Sequence, residues 1–179
     1  MVRRIVTTTD SDGASAFLSD GPSPWQATFE SIPGFDVTML WATDGSTSTE
    51  AKLSDSGAWP TSWVPGPGGS RLLLVTFPPD SVMLSPDFDG LAAQREQMEK
   101  LPGLAEAFEA ESPGMHKTAS VDYGVVLSGR ITLELDNGRV RELRAHDVVV
   151  QRGTRHAWRN PAAEPASVLF VLLGATPAR

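Results

Sequence analysis

Apolar and polar residues alternate through three stretches between His116 and Asn160, and this alternation is the strongest structural signal in the chain. The stretches read HKTASVDYGVVLSG, RITLELDNGRVREL and RAHDVVVQRGTRHAWRN, punctuated by Ser128-Gly129, Asn137-Gly138 and Gly153-Thr154. Turn residues at this spacing between short β-rich segments predict a small antiparallel barrel. Residues 71–77, ended by Pro78-Pro79, read as the first strand of that barrel, and residues 167–173 read as its last. The unbroken apolar run of the last strand suits burial on both faces.

Upstream, residues 3–9 and 14–18 flank Ser11-Asp12-Gly13, an Asp-Gly turn that predicts a hairpin. Residues 21–69 are rich in Gly, Pro, Ser and Thr, with one short apolar segment at 37–42. Four of the five tryptophans, Trp25, Trp41, Trp59 and Trp63, fall in this region, and rings of that size imply that it packs onto the barrel. Asp87 or Asp89 is placed to cap a helix over residues 90–101, with Leu91, Met98 and Leu101 on one side. Pro102-Gly103 ends it, and a second short helix is expected over 104–110, with Leu104 and Phe108 on one face. Five acids between Glu96 and Glu111 make the insertion a solvated acidic surface; the alternative is a lid over the barrel mouth.

Composition narrows the function classes. Fifteen basic against twenty-two acidic residues give a net charge of -7, which disfavours nucleic acid. No cysteine is present, so any metal must be held by nitrogen and oxygen. The longest apolar run, 168–173, is far too short to span a membrane, and no apolar stretch of signal-peptide length follows the first arginines. The expectation is a cytoplasmic protein without nucleic-acid or membrane partners. Serine nucleophile chemistry lacks both a G-x-S-x-G elbow and a histidine to serve it.

The spacing of the residues His116-x-Thr118-x3-Asp122-x6-Gly129 and, further on, Gly153-x2-His156-x3-Asn160 resembles the two motifs of the cupin superfamily. The first cupin motif reads G-x5-H-x-H-x3,4-E-x6-G and the second G-x5-P-x-G-x2-H-x3-N. Thr118 stands where the second histidine belongs, Asp122 replaces the glutamate, His146 occupies the opening glycine position of the second motif, and Gln151-Arg152 stand in place of its proline. The resemblance implies an all-β fold, a small antiparallel cupin barrel of jelly-roll type with an N-terminal extension and two short inserted helices. Residues 1–69 would form the extension and 70–179 the barrel, with the helical insertion at about 88–111.

On this resemblance His116, Asp122 and His156 converge inside the barrel as the catalytic residues. Two imidazoles and one carboxylate match the ligand set of open non-haem iron sites, also compatible with zinc, manganese or nickel, and the alternative is a metal-free hydrogen-bonded cluster. Side chains alternate along a strand, so an inward Asp122 brings Gly124, Val126 and Ser128 with it and sends Tyr123, Val125 and Leu127 out. Gly124 would leave room beside the carboxylate. The same argument from His156 brings in Trp158 and Asn160, so Trp158, Thr118, Gly124 and Val126 are the expected substrate-binding residues. His146 reads as a surface turn residue, Arg152 and Arg155 as cations able to meet an acidic substrate, and Asn160 as a partner for backbone groups of the following turn.

The expected function is a cupin-type enzyme acting on a small organic substrate, aromatic or a keto acid, as a dioxygenase, decarboxylase, isomerase or dehydratase. The alternatives are a metal-free cupin that binds a small molecule without catalysis, and a structural or storage role. Because Tyr123, Val125 and Leu127 make the outward face apolar as well, either the N-terminal region or the second subunit of a homodimer is expected to cover it.

Overall fold

The computed structural model describes residues 2–45 and 61–176, so the expectation for Trp59 lies outside the described residues. Strands β1 (Arg3–Thr9) and β2 (Ser15–Pro22) form the N-terminal hairpin. Its turn is held by Asp10, whose carboxylate accepts from the amides of Asp12 and Ala14 at 3.0 and 2.9 Å. Next come β3 (Trp25–Thr28), β4 (Asp36–Thr43) and β5 (Ser70–Phe77). After the helical insertion follow β6 (Ser120–Ser128), β7 (Arg130–Leu135), β8 (Arg139–Arg144), β9 (Val148–Arg152), β10 (His156–Arg159) and β11 (Ala166–Gly174).

These strands make one six-stranded antiparallel sheet in the order β3-β4-β5-β11-β6-β9 and one three-stranded sheet in the order β10-β7-β8. Part of the N-terminal region is thus built into the main sheet: β4 pairs with β5 from Asp36 opposite Thr76 to Thr43 opposite Ser70. The two sheets face each other across the core. Val37, Met39, Leu73, Val75, Val126, Val168 and Leu172 come from the large sheet, and Ile131, Leu133 and Ala157 from the small one. Burying such side chains contributes roughly 1.5–3 kcal/mol each, which is what holds the sheets together.

Turn chemistry explains the strand ends. Asn137 and Gly138 both have positive φ, 59° and 65°, the conformation that a tight hairpin requires, and they join β7 to β8. Gly129 has φ 75°, and a Cβ there would stand 2.6 Å from the Pro165 carbonyl oxygen, so no other residue fits between β6 and β7. Along β6 the alternation holds for Ser120, Asp122, Gly124 and Val126, all buried, but Ser128 is exposed because the strand ends at that turn. In β11, Ala166, Val168, Phe170 and Leu172 are buried while Ser167, Leu169, Val171 and Leu173 are half-buried, so one face closes fully and the other does not. The N-terminal hairpin leaves the outer face of β6 open: Tyr123 and Leu127 are 43% and 47% exposed.

The helical insertion departs from the sequence pattern in two respects. Helix α1 (Gly90–Lys100) is capped by Asp89, whose Oδ1 accepts from Leu91 and Ala92 N–H at 3.0 Å each. Its buried side runs through Ala93 to Leu101, however, and Leu91 and Met98 are exposed. The second expected helix is a single 3₁₀ turn at Ala105–Ala107, because Phe108 turns extended and forms a β-bridge with His116. The acids are not merely solvated. Burial disfavours the Glu96 carboxylate, yet Lys100 and the amides of Glu30 and Ser31 outweigh it and hold its pKa at about 2. Among the described residues no helix is long and apolar enough to cross a membrane.

Asn160 ties the end of the small sheet to the large one. It is 1% exposed; its Nδ2 donates to the carbonyls of Phe77 and Glu164 at 3.1 and 2.9 Å, and its Oδ1 accepts from Ala162 N–H at 3.2 Å. Asn160→Ala strands these buried groups, so it should cost on the order of 2–3 kcal/mol in urea unfolding. A loss below about 0.5 kcal/mol would show that other groups or water replace the amide without penalty.

Candidate functional site

Between the two sheets lies a cavity of about 150 Å³. That is the scale at which an apolar cavity accepts a single-ring molecule. Phe35, Phe77, Phe170, Trp158 and Phe108 are among the residues that line it. Four of these rings form a continuous chain: Phe35 to Phe77 at 6.0 Å, Phe77 to Trp158 at 6.3 Å and Trp158 to Phe170 at 5.3 Å between centroids. Met83, Gln97, Leu104 and Phe108 also line it, so the segment read as an exposed insertion covers the cavity instead.

A polar cluster closes one part of this apolar space. His116 and His156 exchange reciprocal main-chain hydrogen bonds, each N–H donating to the other's carbonyl at 2.9 Å. This bridge sets the imidazoles side by side, with centroids 4.2 Å apart. Each ring is oriented by its own neighbouring backbone: Nδ1 of His116 lies 3.1 Å from the Gly114 carbonyl, and Nδ1 of His156 lies 2.9 Å from the Thr154 carbonyl. A carbonyl only accepts, so both Nδ1 atoms carry hydrogen, and each neutral ring keeps an unprotonated Nε2.

The strands beside this pair bring further polar groups. Asp122 on β6 and Gln151 on β9 stand directly opposite each other in the sheet, are 6% and 4% exposed, and line the cavity with Thr118. Among the described residues Asp122 Oδ1 and Gln151 Nε2 have no hydrogen-bond partner. The Thr118 hydroxyl is 2.9 Å from that of Ser120. Burial pushes the Asp122 carboxyl up from its ordinary range, against the Ser120 hydroxyl, which favours the charged form. Burial also lowers His116, against the Gly114 carbonyl and Glu109. Burial first, then the neighbouring His116, push His156 down to about 4, against the Thr154 carbonyl.

His116, Asp122, His156, Thr118 and Trp158 therefore all line one cavity, whereas Gly124 and Val126 do not. The space expected beside Gly124 is filled by the Phe170 ring, which would stand 3.0 Å from a Cβ there, and Val126 is sealed in the core. The ligand trio implied by the cupin resemblance is not assembled: among the described residues no three His, Asp or Glu side chains group as metal ligands. The two imidazoles meet, Asp122 stays beside Ser120 on its own strand, and Thr118 turns to Ser120. The residues present thus fit a two-nitrogen pair and not a three-donor metal site.

Arg155 does not await an acidic substrate. It forms a bidentate pair with Glu109, both bonds 2.6 Å, and a third bond to Asp136 at 2.8 Å, pinning the covering segment beside the site. His146 is an exposed turn residue with φ 77°. The sequence marks Gln151 only as a departure from the second motif, because its place in the site depends on the register that sets it opposite Asp122. Arg159 was equally hidden; it lines the cavity, pairs with Glu134 at 2.8 Å and donates to the Pro113 carbonyl at 2.7 Å.

The sequence profile described as Cupin domain matches residues 106–172. Oryzines biosynthesis cluster protein J of Aspergillus oryzae is 31% identical over 179 residues, an alignment covering 98% of this chain and 84% of that protein. The cupin-domain-containing oxidoreductase fogC of Aspergillus ruber is 46% identical over 66 residues, which span 35% of this chain and 32% of that one. A cupin 2 conserved barrel domain protein from Salinispora arenicola aligns in structure with TM-score 0.42 and 19% identity, over 79% of this chain and 76% of that chain.

His156 has a folded-state pKa of about 4, below its ordinary 6.5, so its unfolded form binds protons first as the pH falls. Its contribution is complete above about pH 6.5 and is lost as the pH drops toward 4, while the raised Asp122 runs in the opposite direction. Urea midpoints between pH 7 and 4.5 should fall for the wild type and fall less for His156→Gln. Equal pH slopes in the two proteins would contradict this origin.

Proposed function

Given that the chain belongs to the cupin-domain family, we propose that it is an enzyme which moves protons on a small, largely apolar carbonyl compound bound in the cavity between its sheets. The observation that carries this reading is the buried Asp122 carboxyl, with one oxygen lacking a protein partner, in the same aromatic-lined cavity as the two imidazoles. Burial raises its pKa, which makes the carboxylate a stronger base, as proton abstraction near neutral pH demands.

The reaction class is isomerisation. A C–H bond next to the substrate carbonyl breaks, and its proton forms an O–H bond at Asp122 Oδ1. The electron pair left on carbon becomes the C=C bond of an enolate, and the carbonyl π pair moves onto oxygen. Return of the proton to the opposite face, or to a conjugated carbon, completes the reaction with no net oxidation. His116 and His156, neutral and bare at Nε2, accept hydrogen bonds from a substrate hydroxyl, and the rings of Trp158 and Phe77 give the substrate an apolar surrounding.

A second reading, metal-dependent oxidoreductase chemistry, is supported by the paired Nε2 atoms and by the name of the Aspergillus ruber relative. It calls for a third protein donor that the described residues do not group with the pair. For that reason the acid–base reading is preferred.

Deuterium exchange into the methyl group of acetophenone, followed by proton NMR in D₂O, tests the proposal. The wild type should accelerate exchange, EDTA should leave the rate unchanged, and Asp122→Asn should lower it by about 10²–10⁴ with the fold intact. Exchange abolished by EDTA would favour the second reading. A wild type with no effect on exchange, or an Asp122→Asn variant as fast as the wild type, would leave a binding protein rather than this enzyme.

A further inference from the structure

Two buried polar atoms of opposite sense lie unpaired on residues that line the same cavity, and those residues occupy facing positions on adjacent strands. Gln151 Nε2 carries hydrogen and has no acceptor; Asp122 Oδ1 carries lone pairs and has no donor. Both residues are more than nine-tenths buried and both line the cavity. Leaving a polar atom buried without a partner costs about 1–3 kcal/mol, so two together need an explanation. The core gives none, since apolar side chains at the same positions would avoid the cost.

We infer that Gln151 and Asp122 form a two-point recognition site for one planar head group, in which a carbonyl oxygen sits beside an N–H, O–H or acidic C–H donor. The carbonyl oxygen accepts from Gln151 Nε2–H, the donor faces Asp122 Oδ1, and the apolar body of the molecule lies along Phe77, Trp158 and Phe170. This rests on the proposed function and narrows it: Gln151 becomes the residue that orients the carbonyl and stabilises negative charge on its oxygen. Primary amides, lactams and un-ionised carboxylic acids share the arrangement, whereas hydrocarbons and ethers lack one or both halves.

Benzamide is the direct probe, because its amide nitrogen replaces the reactive methyl carbon of acetophenone and turns it into a hydrogen-bond donor. Toluene, which keeps the ring and has no head group, is its control. Isothermal titration of the whole chain should show both binding, with benzamide at least about tenfold tighter. Gln151→Leu should lose that preference, hold toluene within about twofold and melt no lower than the wild type, since it removes a buried amide that had no partner for its N–H. Gln151→Met, closer in shape, is the second variant should the leucine fail to fold. Retention of the preference in a folded variant, or equal binding of the two probes by the wild type, overturns the recognition site while leaving the cavity reading standing. A wild type that takes up neither probe overturns the cavity reading and this inference with it.

Discussion

The reciprocal main-chain bridge between His116 and His156 is the contact on which the candidate site depends. His116 precedes β6 and His156 begins β10, so without the bridge these residues would belong to separate parts of the chain. With it, both imidazoles face the same space, and Phe108 is drawn in from the other side through its own bridge to His116. The covering segment is then fixed at two further points, by Arg155 on Glu109 and Arg159 on the Pro113 carbonyl. A local pairing of two residues thereby determines the chemistry of the cavity and how it is covered.

Burial sets the electrostatics that follow. Inside the sandwich neither an imidazolium nor a carboxylate is well solvated, so both histidines are pushed toward neutrality and Asp122 toward its protonated form. Backbone carbonyls at Gly114 and Thr154 decide which nitrogen of each ring keeps its proton. A protein built only for stability would have filled these positions with apolar side chains, as it does at Val126 and Val168 nearby. The cluster persists at a cost in stability, which is the physical ground for assigning it a function.

Much of the barrel was legible because period-two alternation and turn residues act locally. The Asn137-Gly138 and Gly129 turns and the inward set Asp122, Gly124 and Val126 follow directly from residue types at fixed spacing. What could not be read were features decided across the chain. Gly124 looked like open space, but Phe170 from β11 fills it; the helix over 104–110 yielded to the pairing of Phe108 with His116; and Gln151 acquired its place only through register with Asp122. The motif spacing brought His116, Asp122 and His156 to one cavity, yet it could not report that Asp122 leans on Ser120 rather than joining the imidazole pair.

Two neutral imidazoles, each bare at Nε2, line the cavity that also holds the buried Asp122 carboxyl. Nitrogen-15 NMR of the histidine rings at pH 7 measures this directly, since protonated and bare ring nitrogens differ widely in chemical shift. His116 and His156 are both expected to be neutral with the proton on Nδ1. A proton on Nε2 of either ring, or a doubly protonated ring at that pH, would contradict it.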